Sequence, residues 1–194
     1  MKFFENGILN KYTVKFVDHE TYWNTFYKEF EQDNLQKITF NIKEICFSRD
    51  KVEHYIIVKD KNLNIAMFRG EILEQNVYYM RHAIVKKEYR GQGIYSAYLD
   101  KIISTCKNLK YSQIISCFVL SNTKICQLKM KKDFYLTGVE THAEWGQLGW
   151  LCHFLNEDLK KAYLFRCGEL QLNKKMYDSS EKSLEKLKEK LLGL

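Results

Sequence analysis

The 194-residue sequence contains no proline, and no apolar run approaches the roughly 20 residues that a membrane-spanning helix requires. Without proline, every turn must rest on glycine, asparagine, aspartate or serine. The first residues, MKFFENGILNKY, are too polar and too short for the apolar core of a secretory signal. We therefore predict a cytoplasmic protein that does not contact a membrane.

The sequence also lacks any C-x-x-C pair, although it has six cysteines. Most of them lie in apolar runs, such as Cys117 in IISCFVL, where a thiol behaves as a small hydrophobic group. We predict reduced thiols and no disulfide framework. The spacing of His142, Cys152, His153 and Cys167 matches no usual structural zinc site, so core packing is the better explanation and no metal is expected.

The net charge of +7 is compatible with a polyanionic ligand, whether a nucleic acid, an anionic membrane or a phosphorylated cofactor. It is also typical of a lysine-rich solvated surface, which is the explanation we favour on charge alone. A nucleic-acid-binding function would rest on this charge alone, and we do not expect it.

Composition indicates a globular chain, with 45% hydrophobic and 28% charged residues. The length predicts a single domain, 1–194, with a core at about 12–155 and a helical appendage at about 178–194. Alternating or continuous apolar runs predict strands at Tyr12–Val17, Tyr55–Val58, Ile65–Leu73, Val77–Val85, Gln113–Leu120, Phe134–Thr141 and Gln147–Leu155.

Helical spacing predicts helices at about Thr21–Gln32, after Gly93 and after the capping residue Asn122, while Ile38–Phe47 is an ambiguous fourth. The order β-α-(α)-β-β-β-α-β-α-β-β predicts an α+β fold, with a mixed, mostly antiparallel sheet flanked by helices. The tail Asp178–Leu194 is an amphipathic helix whose leucine spacing serves equally to pack on its own domain or to form a homodimer contact.

The segment EYRGQGIYS, which follows a predicted strand and opens a predicted helix, is the strongest functional signal. Its bend holds Arg90, Gly91 and Gly93, and glycines allow backbone N–H groups to approach a diphosphate closely. The start of the following helix favours the same negative charge. The dinucleotide fingerprint G-x-G-x-x-G fails because Ser96 occupies its third glycine position, and the Walker A spacing is absent.

In its context, Ala83–Ser96 resembles the acetyl-CoA-binding signature of the GNAT superfamily of N-acetyltransferases, whose core is Arg/Gln-x-x-Gly-x-Gly/Ala. The segment Asn122–Phe134 is similar to the next helix of that family. The resemblance covers roughly Tyr12–Leu155 and implies a GNAT-like fold with acetyl-CoA, or another acyl-CoA, as co-substrate. It also implies direct transfer to a primary amine in a ternary complex.

The same resemblance assigns roles in cofactor binding. Backbone groups of Ala83–Val85 would pair with the pantetheine arm, the N–H groups of Gly91–Ser96 would hold the diphosphate, and Asn122 would lie near the pantetheine arm or the acyl end. The implied cofactor site consists of Ala83, Ile84, Val85, Arg90, Gly91, Gln92, Gly93, Ile94, Tyr95, Ser96 and Asn122.

The chain departs from the family pattern at Tyr95, which replaces a small residue and is tolerable if its side chain points away from the diphosphate. Lys129 stands where many members carry a tyrosine that protonates the leaving thiolate. A lysine there could donate a proton, balance the thiolate charge, or lie on the surface, and we favour the surface position.

No general base is evident from the sequence. Positions where members often carry a glutamate hold Tyr79 and Cys117, neither of which is a base at neutral pH. His82 has a suitable intrinsic pKa, but its parity predicts that it faces away from Tyr79, and we favour a buried, hydrogen-bonded role for it. Glu140 and His142, acting through a water molecule, remain open.

Tyr79, His82 and Lys129 are therefore the catalytic candidates that the sequence offers. Two functions stay in competition. The first is an acetyl-CoA-dependent N-acetyltransferase acting on an amine of a small molecule or protein. The second is a catalytically impaired domain that binds or senses acyl-CoA.

Overall fold

The computed structural model describes residues 11–30, 52–73 and 76–168. The helix predicted at Ile38–Phe47 and the tail helix predicted at Asp178–Leu194 lie outside the described residues, as does Cys46. Across the described part of the chain, no helix combines the length and the apolar character needed to cross a bilayer.

The described residues form seven strands and four α-helices. The strands are β1 (Thr13–Val17), β2 (Val52–Asp60), β3 (Leu63–Leu73), β4 (Val77–Val85), β5 (Gln113–Val119), β6 (Tyr135–His142) and β7 (Gly146–Phe154). The helices are α1 (His19–Glu29), α2 (Ile94–Asn108), α3 (Thr123–Met130) and α4 (Glu157–Arg166). All the strands and the first three helices agree with the sequence predictions within a few residues.

The strands make one sheet in the order β1-β2-β3-β4-β5-β7-β6. Neighbouring strands are antiparallel except β4 and β5, which are parallel. A parallel pair needs a crossover, which α2 supplies here. The predicted mixed, mostly antiparallel sheet is therefore confirmed.

Successive strand residues point to opposite faces of the sheet, so two separate cores form. On one face, the α2 face, strand residues such as Ile56 and Phe68 pack with α2 residues such as Leu99 and Ile102. On the other face, the α1 face, a smaller core is formed by Tyr22, Phe26, Phe30, Tyr55, Ile57, Met67 and Ile84. Helix α1 contributes its aromatic stripe to this second core, as its spacing predicts.

The chain divides into two compact units, Met1–Leu155 and Asn156–Leu194. In the second unit, α4 begins after Asn156, whose side-chain oxygen accepts hydrogen bonds from the backbone N–H groups of Asp158 and Leu159. The sequence patterns do not predict this helix, because its apolar residues form no continuous stripe and none of them is buried.

Candidate functional site

A cleft opens between the two parallel strands at the centre of the sheet. β4 and β5 pair from Val77 with Gln113 as far as Met80 with Ser116, and no further pairs form. Both strands nevertheless continue, β4 to Val85 and β5 to Val119. We call the space between these unpaired ends the cleft, and Met80 with Ser116 its closed end. Unpaired strand edges in such a cleft can accept an extended ligand as an added strand.

A β-bulge in β4 lies next to the closed end. β3 pairs Arg69 with His82 and Gly70 with Met80, so Arg81 is the extra residue. Beyond the bulge, the alternation of side chains between the two faces of the sheet is shifted by one residue. Glu71 pairs with Tyr79 and Arg69 with His82, which places Tyr79 and His82 on the same face. The parity prediction that they face opposite sides is therefore wrong, and the inserted residue is the reason.

The glycine turn follows β4 at the open end of the cleft. Gly91 and Gly93 have φ angles of 77° and 80°, a left-handed conformation that side chains with a Cβ adopt at a cost. Gly93 is the N-cap of α2 and offers no side-chain cap, so the first N–H groups of α2 are available to an anion. The Arg90 side chain donates to the Val85 carbonyl at 2.9 Å, which ties the turn to the end of β4.

Two hydrogen bonds brace this turn from outside. The Tyr12 hydroxyl donates to Gln92 Oε1 at 3.3 Å, and Gln92 Nε2 donates to the Glu88 carbonyl at 3.0 Å. The Tyr95 ring is directed inward, with its centroid 6.2 Å from that of Phe68. This position agrees with the expectation that Tyr95 points away from the turn.

Lys129 lies at the closed end of the cleft, which corrects the predicted surface position. Its side chain is only 2% exposed, and its Nζ donates to the Ser116 hydroxyl. The Ser116 hydroxyl in turn donates to the Met80 carbonyl at 3.4 Å. Burial lowers the pKa of Lys129 to about 8. The missed signal is its position four residues after Ile125, which places it on the inward side of α3.

Asn122 follows β5 and caps α3, with its Oδ1 accepting a hydrogen bond from the Ile125 N–H at 3.4 Å. The cap confirms the predicted start of this helix. Its side-chain oxygen is thus engaged with the protein, which leaves the amide N–H₂ as the group that could contact a ligand.

Two ion pairs on the α1 face are not predicted by the sequence. Arg69 pairs with Glu53 at 3.1 Å, and Arg81 pairs with Glu71 at 3.0 Å. The Arg81 guanidinium also lies 4.7 Å from the ring centroid of Tyr79. The strand register brings these residues together, and the sequence alone does not specify that register. The sequence does contain one signal for the pairs, because each joins opposite charges on neighbouring strands.

His82 is half-buried and hydrogen-bonded, as expected. Its Nδ1 lies 2.7 Å from the Tyr22 hydroxyl, and the rings of Trp23 and Phe26 have centroids 5.7 and 5.1 Å away. Burial, with a smaller effect of the Arg69 charge, lowers the pKa of His82 to about 4. The imidazole is therefore neutral at pH 7 and too weakly basic to keep a proton taken from an ammonium group.

The remaining base candidates are also weak. Burial raises the pKa of Tyr79, and burial together with the nearby Glu140 charge raises the pKa of Cys117. Glu140 and His142 lie exposed on β6, where His142 Nδ1 accepts a hydrogen bond from the Glu144 N–H. In the described ranges, no group of three or more metal-ligating side chains comes together.

Comparison with known proteins decides the family. A family model described as Acetyltransferase (GNAT) family matches residues 19–128, more than half of the 194-residue chain. The chain belongs to the GNAT family. The matched segment of this GNAT chain runs from α1 into α3 and so contains the bulge and the glycine turn, and it ends one residue before Lys129. Among curated proteins, no sequence matches the chain.

Solved structures of other GNAT proteins share the fold at low sequence identity. The spermidine/spermine N-acetyltransferase SpeG from Vibrio cholerae, in complex with manganese ions, has a TM-score of 0.57 and 13% identity, and the match covers 80% of this chain and 99% of that one. The ribosomal-protein-S18-alanine N-acetyltransferase from Escherichia coli has a TM-score of 0.56 and 8% identity, with coverages of 75% and 94%. An N-acetyltransferase from Staphylococcus aureus Mu50 has a TM-score of 0.58 and 15% identity, with coverages of 75% and 99%.

Proposed function

We propose that this chain is an N-acetyltransferase that transfers the acyl group of acetyl-CoA, or a related acyl-CoA, to a primary amine of a small molecule or a protein. The observation that carries the proposal is the cleft between β4 and β5, which opens beside the glycine turn at the start of α2. The anion site at the turn adjoins the unpaired edge of the strand. Together they fit a ligand with a diphosphate at one end, for the anion site, and an amide-containing arm at the other, for the strand edge.

The proposed cofactor site follows the order of the elements. The N–H groups of Gly91–Ser96 hold the diphosphate, and the backbone of Ala83–Val85 pairs with the pantetheine amides. From Val85 to Met80 the strand spans roughly 16 Å, at about 3.3 Å per residue, so an arm laid along it leads to the closed end. Asn122 approaches the arm from the turn that follows β5. The thioester then lies next to Met80, Ser116 and Lys129.

The acceptor amine approaches from the α1 face, where the bulge residue Arg81 lies over the Tyr79 ring and the Trp150 ring centroid is 5.5 Å from that of Tyr79. It attacks the thioester carbonyl directly. Because Tyr79, Cys117 and His82 are poor bases, the amine loses its proton to water, and the protein contributes mainly by positioning the two substrates. The two neighbours SpeG and the S18-alanine enzyme bear amine acceptors in their names, which supports an amine acceptor here as well.

Two glycines with the same backbone geometry provide a matched test. Gly91 and Gly146 both have positive φ angles, of 77° and 68°, and an added Cβ would meet nothing within 4 Å at either position. Gly91→Ala and Gly146→Ala therefore carry a similar conformational cost of about 1 kcal/mol. Only Gly91→Ala should weaken acetyl-CoA binding in calorimetry, by about tenfold, because it disturbs the turn that holds the diphosphate.

The competing function is an acyl-CoA-binding or acyl-CoA-sensing domain without catalysis. The absence of a strong base among the described residues of the site favours it. A broad amine panel separates the two, with release of free CoA thiol as the readout. Binding of acetyl-CoA without thiol release from any amine would support the sensing domain, and no binding at all would overturn both functions.

A further inference from the structure

A primary amine is enclosed at the closed end of the cleft, on the α2 face. The Lys129 side chain is only 2% exposed, and its Nζ donates to the Ser116 hydroxyl. Ser116 points to the α2 face because Ile114 and Phe118, two residues away on either side along β5, belong to the α2-face core. Helix α3 packs on the same core. The amine therefore lies directly beside the point where β4 and β5 separate.

Burial at this point favours the neutral form of the amine. Transferring an ammonium group out of water costs several kcal/mol unless an opposite charge compensates it. Among the described residues, no carboxylate forms an ion pair with Lys129 Nζ. The titratable groups that act on it are the thiols of Cys117 on β5 and Cys126 on α3. Burial lowers the pKa of Lys129 to about 8, so a substantial fraction is the neutral amine at pH 8.

The hydrogen bonds at Nζ leave the lone pair of the neutral nitrogen unoccupied. Ser116 has one hydroxyl proton, which it donates to the Met80 carbonyl at 3.4 Å, so it can only accept from Lys129. In the part of the chain that the structure describes, no other side chain hydrogen-bonds to Nζ. A desolvated amine with an unoccupied lone pair is the form in which a lysine acts as a nucleophile.

The proposed function places an electrophile next to this amine. A ligand that enters beside Gly91 and follows β4 ends where β4 and β5 pair, so the thioester of acyl-CoA lies beside Met80 and Lys129. The acceptor is proposed to approach from the α1 face, whereas Lys129 lies on the α2 face. Because the thioester carbonyl is planar and open to attack from either side, Lys129 is a second nucleophile for the same carbon.

We propose that Lys129 is a self-acylation site, to which the chain transfers the acyl group of bound acyl-CoA when no acceptor amine is present. The inference rests on the proposed function and adds a covalent modification site to it. Nζ forms a bond to the thioester carbon, and the carbon–sulfur bond breaks with its electron pair passing to sulfur. The proton lost by Nζ passes to the departing CoA, which leaves as the thiol. The product is a stable amide, so each chain is modified once.

The experiment is mass spectrometry of the full chain incubated with acetyl-CoA at pH 8 in a buffer without primary amines. Hydroxylamine treatment first removes acyl groups from cysteines, and fragmentation of the α3 peptide then locates the remaining label. The exposed lysines Lys124 and Lys131 in the same region report the background of uncatalysed acetylation. The variant is Lys129→Arg, which keeps the charge and cannot be acylated under these conditions, and the matched control is Lys124→Arg.

We expect one acetyl group at Lys129 in the wild type and in Lys124→Arg, and none at position 129 in Lys129→Arg. Despite its burial, Lys129 should react at least about tenfold faster than Lys124, because the bound thioester lies beside it. Excess desulfo-CoA, which has no acyl group to give, should prevent labelling of Lys129 and leave the background unchanged.

The pH dependence of labelling provides a second criterion. The rate at Lys129 should rise from pH 7 and level off above about pH 9, where its amine is fully deprotonated. Uncatalysed acetylation of exposed lysines should keep rising toward their ordinary pKa of about 10.4. A rate at Lys129 that rises in parallel with the background would contradict the inference.

The outcomes separate the two proposals. If acetyl-CoA does not bind the wild type in calorimetry, the proposed function fails and the inference fails with it. If acetyl-CoA binds but Lys129 is labelled no faster than Lys124, the inference is wrong and the proposed function stands. Site mapping and the desulfo-CoA competition use the wild type alone, so they decide the question even if Lys129→Arg does not fold.

Discussion

On the α2 face of the sheet, alternating strand residues meet the apolar side of a 15-residue helix, whereas on the α1 face they meet an 11-residue aromatic helix together with two ion pairs. The α2 face holds the larger core, with Ile56, Phe68 and Leu99 fully buried. The α1 face buries the charged residues Arg69 and Glu71, which are 6% and 1% exposed. Both faces belong to the same strands and differ only in which alternate residues they use.

This difference between the faces indicates that one face mainly stabilises the fold and the other contributes to the proposed site. Apolar burial on the α2 face supplies most of the favourable free energy of folding, while the charged groups on the α1 face lie where the acceptor is proposed to bind. Lys129 is the exception, because it is a charge enclosed within the apolar side of the sheet. This burial of a cation, without an ion-pair partner among the described residues, is the observation that makes Lys129 a candidate functional residue.

The largest expected effect comes from weakening the α2-face core. Leu99→Ala should lower the free energy of unfolding by roughly 3–4 kcal/mol, since it removes a fully buried side chain and leaves a cavity. Leu63→Ala is the matched control, because Leu63 is 44% exposed and its truncation should cost no more than about 0.5 kcal/mol. Urea denaturation measures both, and equal losses would show that burial of Leu99 in the α2-face core does not stabilise the protein as proposed.

Acid should weaken both faces through one histidine on each. Burial lowers the pKa of His54, which lies against Tyr78, to about 4, as it does that of His82. In the unfolded chain each histidine titrates near its ordinary pKa of 6.5, so stability is full above that pH, falls as the pH drops from 6.5 toward 4, and levels off below. Each histidine should account for up to about 3 kcal/mol over that range.

The measurement is the free energy of unfolding at several pH values in the wild type and in His54→Phe. Carboxylates titrate in the same range, so the difference between the two proteins is the informative quantity. The variant should lose stability less steeply with falling pH. An identical pH dependence would mean that His54 is not held neutral in the folded protein.

A smaller effect is expected from breaking an ion pair on the α1 face. Glu71→Gln leaves Arg81 beside a neutral partner and should cost about 2 kcal/mol, less than for a fully buried pair because the Arg81 side chain is 26% exposed. Replacing both residues in Glu71→Met/Arg81→Met should restore much of this loss. Thermal and urea denaturation of the three proteins test the prediction, and a double variant less stable than Glu71→Gln would contradict it.

The sequence predicts most of the fold because one physical requirement, burial of apolar residues, imposes the periods of 2 and 3.6 that reveal strands and helices. It does not predict the bulge at Arg81, since the run VYYMRHAIV is apolar on both sides and shows no break in period. The facing of Tyr79 relative to His82 depends on that single inserted residue. The error therefore concerns the residues nearest to the proposed chemistry.

Sequence patterns also fail to predict ion pairs between strands and charged residues that are buried. The ion pairs Glu53–Arg69 and Glu71–Arg81 require the exact register of three strands, which periodicity does not specify. Lys129 is missed for a different reason. A lysine is assigned to the surface by default, and the rule fails at a position where the protein tolerates a cost in stability.

The smallest predicted effect separates stability from binding at Asn122, next to the cleft. Asn122→Ala removes the side-chain cap of α3 and should cost about 1 kcal/mol. Asn122→Asp keeps a capping oxygen and should leave stability unchanged, but it replaces the amide N–H₂ donor that is proposed to meet the pantetheine arm. Both variants should therefore bind acetyl-CoA several-fold more weakly, whereas only Asn122→Ala should melt earlier. Full acetyl-CoA affinity in Asn122→Asp would remove Asn122 from the cofactor site and leave it a structural cap.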